Sequence, residues 1–566
     1  MKTGRKITKK KEPTQAEILM DITENLGELF IDQFGQPHIF MNVADKKGFH
    51  SEVVSLNSKK FNAHLANLFY EETEKPTNTT AIKSAVLTLS GKTQQKGKRF
   101  VLENRVAWHG NKIDYDLTNA NWGIIRIDKT GWEPIKTPQP MFKRYSHQKA
   151  QVNPAKEPVS LKELLELFHF KDENIKIVLE VCIIASFIPD IAHIILILHG
   201  PQGSTKSTFF KLFRKLIDPS ELELISFPKD KNELVQLLSH HYCAPFDNVA
   251  YLTQEQSDIL CKGSTGEGTS KRQLFTDDED VIRKYKRVIG VNGINNAATK
   301  PDLLDRCIIA GFDRIDKTQR KEDKQIDIWF EKRRAGFLTY IFDAVSKAME
   351  IKENLTLKEL PRMADFALWG EAIAMAIGYK PKEFLNAYFK NIDYQLGEAI
   401  AGSPIGEAII LFMEEHEEWE GQPRELLNEL EQVAADNKIN VLAKSWPKAA
   451  NSLTRRLNEL KTTLADLGII VGDTQKGIKR TIRIVKTVST VLPSETQKNV
   501  QKQGKQIDDK DDDDGILKNS KSRVETPKNE GVGIICTNCR NRSHKGKYIS
   551  DLWHCEDCLN KTEVSA

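Results

Sequence analysis

The sequence has no long hydrophobic run, few cysteines and no excess of charge of either sign. Its most apolar stretch, residues 177–198, is interrupted by Glu180, Pro189, Asp190 and His193, so it does not supply the run of about 20 apolar residues that a membrane helix needs. The N-terminus has no apolar segment behind its basic residues, as a secretory signal would. These absences favour a cytoplasmic protein without a membrane partner.

What is present is typical of a globular chain of several domains. The 83 Lys and Arg nearly balance the 79 Asp and Glu, and 39% of the 566 residues are hydrophobic. At about 150 residues per domain, this length predicts about four domains. Four of the eight cysteines are scattered and four cluster near the C-terminus, which favours a reducing compartment and one metal site over a disulfide framework.

The strongest motif begins after the apolar run Ile194–Leu198, where a loop of small residues leads into a helical pattern. Glycines let backbone N–H groups surround phosphate oxygens, and a helix N-terminus adds partial positive charge. Lys206 is therefore predicted to reach the β- and γ-phosphates of ATP, and the Ser207 hydroxyl to bind Mg²⁺. The predicted nucleotide-binding residues are Gly200, Pro201, Gln202, Gly203, Ser204, Thr205, Lys206, Ser207 and Thr208.

One residue of this loop departs from the usual pattern, because Thr205 stands where glycine is expected. We interpret it as a β-carbon tolerated at the start of the helix. The alternative for the whole motif is a glycine-rich strand–helix turn that binds nothing.

A second strand pattern, Tyr242–Phe246, ends in Asp247. An aspartate there can hold a water of the Mg²⁺ shell, and the alternative is a strand-end turn. Its neighbour is Asn248 and not glutamate, so the general base stays open between Asp247, a distant acid such as Glu255, and slow hydrolysis.

Two further residues complete a catalytic series. Asn292 ends the next strand pattern and is predicted to orient a lytic water or contact the γ-phosphate. Arg306 is predicted to stabilise transition-state charge on the nucleotide of a neighbouring subunit, which implies a homo-hexamer. The alternatives are a turn asparagine and a surface salt bridge.

In this order the loop, Asp247, the Gly/Ser/Thr-rich stretch 263–275, Asn292 and the segment 302–306 resemble superfamily 3 helicases. More narrowly, they resemble the AAA+ ATPase part of phage, plasmid and viral primase–helicases. The resemblance covers roughly residues 170–315. It implies that the stretch between Asp247 and Asn292 forms a hairpin that points into a hexamer channel and grips single-stranded DNA.

The hairpin residues themselves suit DNA. Lys262, Lys271 and Arg272 surround a flexible turn rich in Gly, Ser and Thr and can contact phosphates, and the alternative is a solvated charged loop.

Two C-terminal patterns also suggest nucleic acid. Residues 405–486 resemble a winged helix–turn–helix, with helical patterns over 407–417, 426–435 and 449–467 and strand patterns at 469–471 and 481–485. Arg455 and Arg456 lie on the predicted recognition helix, and Lys479 and Arg480 lie on the wing. DNA contact is the favoured interpretation, and a protein-contact domain is the alternative. The tail carries two C-x-x-C pairs predicted to bind Zn²⁺, with a redox role as the alternative: Cys536, Cys539, Cys555 and Cys558.

The predicted fold is a multidomain α/β protein in eight segments. They are a basic tail (1–12), an α/β domain of unassigned role (13–140), a linker (141–158), a P-loop ATPase core with an AAA+-like parallel sheet (159–345), a helical region (346–404), a winged helix–turn–helix (405–488), a disordered linker (489–531) and a zinc ribbon (532–566).

The favoured function is an ATP-dependent DNA helicase or replication-initiation ATPase of a mobile genetic element, with ATP, Mg²⁺ and Zn²⁺ as cofactors. One alternative is a primase–helicase, with Asp114 and Asp116 as metal ligands, although a strand-end hairpin explains these acids more simply. Another is a nucleotide-gated DNA-binding regulator without unwinding activity.

Overall fold

The computed structural model describes residues 12–45, 48–135, 142–266, 269–272, 280–283, 285–298, 300–316, 318, 320–401, 403–443, 446–476, 479–487, 534–535, 542–543, 546–549 and 552–555. The chain divides into two compact units, Met1–Thr490 and Val491–Ala566. No described helix combines the length and the hydropathy that crossing a bilayer requires. The predicted linker 489–531 and all but one residue of the predicted basic tail lie outside the described residues.

The first elements build a small four-stranded sheet covered by three helices. They are α1 (Gln15–Leu26), β1 (Gly27–Ile31), β2 (Pro37–Asp45), β3 (Gly48–Ser55), α2 (Lys59–Thr73), α3 (Thr79–Lys96) and β4 (Lys98–Arg99), and the strand order is β3-β2-β1-β4. Apolar residues recur at helical spacing from Ala16 to Phe30, but α1 ends at Leu26. The helix ends there because Gly27 begins β1 and pairs closely with β2. A β-carbon on Gly27 would collide with the Phe40 carbonyl oxygen.

A second sheet is an antiparallel meander of β5 (Val106–His109), β6 (Lys112–Asp116), β7 (Ile124–Asp128) and β8 (Gly131–Ile135). Residues 100–107 have a strand-like sequence pattern, but β5 begins only at Val106, because the preceding residues bond elsewhere: Leu102 N donates to Gln33 Oε1 at 3.0 Å. Tyr115 of β6 packs in one hydrophobic core with Phe187 and Phe342. The core is therefore continuous from this sheet into the next part of the chain.

The coil that follows, part of the predicted linker, is tied to the same core. Gln151 is buried, and its Nε2 donates to Leu216 O at 2.8 Å. Lys149 N donates to Pro219 O at 2.8 Å. The described residues from 142 to 158 thus pack as part of the fold.

The central part is a five-stranded parallel sheet between helices. Its elements are α4 (Leu161–Leu165), α5 (Ile175–Ala185), β9 (Ile195–His199), α6 (Lys206–Ile217), β10 (Ile225–Ser226), α7 (Lys231–His240), β11 (Cys243–Asp247), α8 (Gln254–Thr265), β12 (Thr269–Arg272), β13 (Asp280–Arg283), β14 (Val288–Gly293), α9 (Pro301–Leu304), β15 (Cys307–Gly311) and α10 (Asp323–Lys352). The strand order is β10-β11-β14-β9-β15. Continuous apolar runs form these strands because both faces of the sheet are buried. The predicted α/β architecture with a parallel sheet is confirmed.

Two helices follow, α11 (Ala364–Ala376) and α12 (Glu383–Ala401), and α12 covers the edge strand β15. Asn391 Oδ1 accepts a hydrogen bond from Ile309 N at 3.0 Å, and Asn391 Nδ2 donates to Ile309 O at 2.7 Å. Gln395 Nε2 donates to Cys307 O at 2.7 Å. Side-chain amides therefore satisfy backbone groups that a further strand would otherwise pair.

The last part of the first unit has its own hydrophobic core. Its elements are α13 (Pro404–Glu415), β16 (Glu418–Gly421), α14 (Pro423–Asp436), α15 (Ala450–Asp466), β17 (Ile469–Lys476) and β18 (Lys479–Lys486), and the strand order is β16-β18-β17. The sequence predicted the three helices and the β17–β18 pair but not β16, which has four residues and no alternating apolar pattern.

In the second unit the described residues form two short antiparallel ribbons. They are β19 (Ile534–Ile535) with β20 (Arg542–Ser543), and β21 (Gly546–Ile549) with β22 (Leu552–Cys555).

Candidate nucleotide-binding site

The loop between β9 and α6 turns sharply at its glycines. Gly200 has φ 148° and Gly203 has φ 76°, both in the region that favours glycine. A β-carbon on Gly200 would collide with the Phe312 carbonyl oxygen. The turn aims the first residues of α6 back over the carboxyl end of β9, so the helix N-terminus faces the loop.

Thr205 adopts a conformation that the sequence did not indicate. It is the N-cap of α6 with φ 61° and ψ 17°, which is the left-handed region. A β-branched residue is strained there, whereas glycine is not. Glycine is usual at this position of the motif because the backbone there is left-handed. Thr205 adopts this left-handed backbone at a cost in conformational energy.

Lys206 is held inside the loop that precedes it. Its Nζ donates to Gly200 O at 2.8 Å, to Pro201 O at 3.0 Å and to Ser204 Oγ at 3.0 Å. The residue is 9% exposed. Burial lowers the pKa of Lys206 below its usual value, and the Asp247 carboxylate opposes that shift.

The neighbouring strands bring two more predicted residues to the same place. Because β14 lies between β9 and β11, Asn292 emerges between the loop and Asp247. Ser207 Oγ donates to Asp247 Oδ1 at 2.7 Å, and Asn292 Nδ2 donates to the same oxygen at 2.7 Å. Asn248 N in turn donates to Asn292 Oδ1 at 2.8 Å, which fixes the orientation of the amide.

These groups line one open cavity of about 710 Å³. The predicted residues Gln202 to Thr208, Asp247 and Asn292 form one wall. The other wall includes Ile315, Arg320 and Ile326. Gly203 is so close to Arg320 that a β-carbon there would lie 2.9 Å from the guanidinium Nη2. The sequence did not identify Arg320, because it lies in an irregular segment without a motif.

Arg306 does not line this cavity. Its guanidinium donates to Asp302 O at 2.6 Å and forms an ion pair with the Asp302 carboxylate, which also binds Arg362 at 3.2 Å. The Arg306 side chain is 9% exposed, and its Nε has no hydrogen-bond partner among the described residues. Its predicted action on a neighbouring subunit stays a prediction. Glu255, suggested as a distant base, is paired with Lys231 at 2.9 Å and does not line the cavity either.

The predicted DNA-binding residues lie on three elements. Lys271 and Arg272 lie on β12, which pairs with β13 as an antiparallel ribbon. Arg455 is exposed on α15, whereas Arg456 forms an ion pair with Glu459 at 2.6 Å. Lys479 and Arg480 lie at the start of β18.

The acids considered as primase ligands are both paired with arginine. Asp114 binds Arg126 through two hydrogen bonds of 2.7 Å, and Asp116 binds Arg144. Both aspartates are fully buried. Each aspartate is neutralised by an arginine, as in a structural ion pair. The two carboxylates therefore do not point at a shared cation.

Of the four predicted zinc ligands, Cys555 ends β22, and Cys536, Cys539 and Cys558 lie outside the described residues. The described part of the chain contains no group of three or more His, Cys, Asp or Glu arranged to hold a metal ion.

The sheet and its loop thus define an α/β protein with a parallel sheet and a glycine-containing strand–helix loop at its carboxyl edge. Residues 161–395 match the family described as the actinomycete integrative conjugative element replication protein. Residues 405–499 match the family described as the AICE RepA C-terminal domain. The chain is therefore similar to this replication protein in both parts, and the narrower assignment to superfamily 3 stays a prediction.

No curated protein sequence matches the chain. Among solved structures, an apo form of the NrS-1 C-terminal region is 12% identical, covers 84% of this chain and 100% of its own, and has a TM-score of 0.38. A structure of NrS-1 residues 305–718 is 13% identical, covers 83% and 98%, and has a TM-score of 0.36. A compound-bound JCV helicase is 14% identical, covers 40% and 62%, and has a TM-score of 0.20. TM-scores this low do not establish a common fold.

Proposed function

We propose that this protein is a DNA-dependent ATPase that acts in the replication of a mobile genetic element. The observation that carries the proposal is the meeting of Lys206, Ser207, Asp247 and Asn292 at one end of a parallel sheet. Ligands of open α/β sheets bind at the carboxyl ends of the strands, and these four side chains are the ones that phosphoryl transfer from ATP uses.

The residues present fit ATP and Mg²⁺. The loop turns at Gly200 and Gly203, and Lys206 supplies a buried cation beside it. Ser207 Oγ and the Asp247 carboxylate are hard oxygen ligands already 2.7 Å apart, and Mg²⁺ prefers such oxygens together with substrate phosphates. When bound, Mg²⁺ neutralises charge on the phosphates.

Each side chain then has a separate task. Lys206 binds the β- and γ-phosphates, and Asp247 holds the cation through its shell. Asn292, fixed by Asn248 N, orients the attacking water. Arg320 faces the loop from the other wall and adds positive charge on the phosphate side.

The C-terminal part supports DNA as the partner. The element order α13-β16-α14-α15-β17-β18, with β16 paired to β18, is compatible with a winged helix–turn–helix. We assign α15 as its recognition helix and the β17–β18 pair as its wing. The similarity to a conjugative-element replication protein agrees with this role.

We further propose that the protein works as a homo-hexameric helicase, in which Arg306 completes the site of a neighbour and the β12–β13 ribbon contacts single-stranded DNA. This part depends on Arg306 lying outside its own cavity and on the cationic residues Lys271 and Arg272 of the ribbon. The tail is proposed to bind one Zn²⁺ through Cys536, Cys539, Cys555 and Cys558, since two C-x-x-C pairs at this spacing suit a tetrahedral thiolate site.

The decisive experiment measures ATP hydrolysis by the full chain with and without single-stranded DNA, together with strand separation on a forked duplex. A motor is expected to hydrolyse ATP faster with DNA and to separate the strands. ATP hydrolysis that DNA does not change would contradict the proposal. Binding of ATP and DNA without unwinding would favour the nucleotide-gated regulator instead.

A further inference from the structure

One face of α15 is polar and faces solvent. Leu453, Leu457, Leu460 and Leu464 are buried in the C-terminal core. Asn451, Arg455 and Asn458 recur at the same helical spacing on the opposite side and are exposed. None of these three side chains has a hydrogen-bond or ion-pair partner among the residues that the structure describes.

The same three residues line a shallow groove of about 800 Å³ between α15 and the start of α14. Gln422 and Arg424 form the other side of the groove, at the N-terminus of α14. Arg456 is different, because it is turned to Glu459 and is already neutralised. Within the described part of the chain, the groove therefore offers two arginines (Arg424 and Arg455) and two amides (Asn451 and Asn458) without a side-chain partner.

Neutral amides are the informative part of this surface. Cations supply most of the affinity for phosphates, and asparagine adds only neutral hydrogen bonds to it. In the major groove, however, asparagine can bind N6 and N7 of adenine through two hydrogen bonds, and arginine can bind O6 and N7 of guanine in the same way. Three such side chains on successive turns of one helix suit the edges of neighbouring base pairs.

We propose that α15 reads the sequence of duplex DNA in the major groove, with Arg455 selecting guanine and Asn451 and Asn458 selecting adenine. Arg424, at the start of α14, binds a flanking phosphate and sets the register. The protein thereby recognises a particular duplex site, in addition to any single-stranded DNA on which the ATPase acts. This inference rests on the proposed function only in assigning DNA as the partner of the C-terminal part.

The test selects bound sequences from a randomised duplex DNA pool with the full-length protein and with variants. Wild-type protein is expected to enrich a motif that contains guanine and adenine. Arg455→Ala should lose the guanine preference and bind the wild-type site about 10- to 100-fold more weakly, since each two-bond contact is worth about 1–3 kcal/mol. Asn458→Ala should lose an adenine preference instead.

The matched control is Arg333→Ala. This change removes the same charge from α10, outside the C-terminal part, where Arg333 is paired with Glu163, and it should return the wild-type motif. Thermal melting of each variant checks that it is folded. The inference is overturned if the wild-type pool shows no motif, or if Arg455→Ala and Asn458→Ala both return the wild-type motif. Either result leaves DNA-stimulated ATP hydrolysis, the test of the proposed function, to be decided separately.

Discussion

At the scale of single residues, Lys206 makes the most direct prediction. Its Nζ is held against Gly200 O, Pro201 O and Ser204 Oγ, inside the loop that is proposed to surround the phosphates. Lys206→Ala is expected to lower the rate of ATP hydrolysis at least about 100-fold, the usual loss when a preorganised charge or donor is removed. Steady-state phosphate release measures the effect.

The matched control for this variant is Lys211→Ala. It removes the same charge from the same helix but outside the cavity, and it should keep the wild-type rate. Wild-type turnover by Lys206→Ala would remove the nucleotide assignment from this loop.

Thr205 makes a second residue-scale prediction, because its φ of 61° strains a β-branched side chain. Thr205→Gly should relieve about 1–3 kcal/mol of strain and lose about 1 kcal/mol to the greater freedom of glycine when unfolded. We expect the thermal midpoint to rise by about 2 °C, with ATP hydrolysis retained. Differential scanning calorimetry of both proteins checks this, and a lower midpoint for the glycine variant would show that Thr205 is not strained.

At the scale of elements, a buried ion pair fastens the second sheet to the helix that carries Lys206. Arg105 and Asp218 are both fully buried and lie 2.8 Å apart. Asp218 Oδ2 also accepts hydrogen bonds from Tyr242 N and Cys243 N, each at 3.2 Å. One carboxylate therefore joins the end of α6 to the start of β11, and these two elements hold the phosphate loop and Asp247.

Arg105→Met should leave the Asp218 charge buried without its partner, which costs about 3 kcal/mol or more. The expected result is a thermal midpoint about 6 °C lower and weaker nucleotide binding, because α6 and β11 lose their common anchor. Calorimetry and titration with a fluorescent ATP analogue measure the two effects. Lys112→Met is the control, because its pair with Asp128 is partly exposed and is worth about 0–1 kcal/mol. Equal midpoints for the two variants would contradict the anchoring role.

The elements also show what the sequence can predict and where it fails. The strands around Ile195–His199, Cys243–Asp247 and Val288–Gly293 were predictable, because buried parallel strands are continuous apolar runs. The meeting of Lys206, Asp247 and Asn292 follows from the same pattern, since parallel strands end at one edge. Arg320 was not predictable, because only the fold brings it to Gly203.

Other features were missed for different reasons. β16 is four residues long and has no periodic pattern of its own. It is recognised as a strand only through its pairing with β18, which the sequence does not show. The sequence did not predict that residues 142–158 pack against the fold, because polar residues such as Gln151 are typical of a linker, yet Gln151 is buried. The left-handed Thr205 was missed because threonine does not indicate that backbone.

At the scale of the whole molecule, substitution of Arg306 tests whether the protein acts as an oligomer. It lies outside its own cavity, so an action on ATP requires the site of a neighbour. Arg306→Ala is expected to bind ATP normally and to hydrolyse it about 10³-fold or more slowly. Mixing Arg306→Ala with Lys206→Ala protein should restore part of the activity, because some interfaces then pair an intact loop with an intact arginine. Mixed oligomers that form but stay inactive would contradict the action between subunits.

The tail makes a separate whole-molecule prediction. The double variant Cys536→Ser, Cys539→Ser is expected to lose about one equivalent of Zn²⁺, since a thiolate site needs all four ligands. Elemental analysis of purified protein measures the metal, and ATP hydrolysis should be unchanged. Cys182→Ser, at a buried cysteine of α5, is the control and should keep its zinc. A wild-type protein without zinc would disprove the zinc assignment.

Because α12 covers the edge strand β15, the position at which the chain is truncated determines whether that edge is exposed. Asn391 and Gln395 occupy the hydrogen-bonding positions that a sixth strand would use. A fragment that ends before Glu383 keeps the whole parallel sheet but leaves that edge open, so a second copy can add a strand to it and begin aggregation. A fragment that ends after Ala401 keeps the edge closed and should remain dispersed.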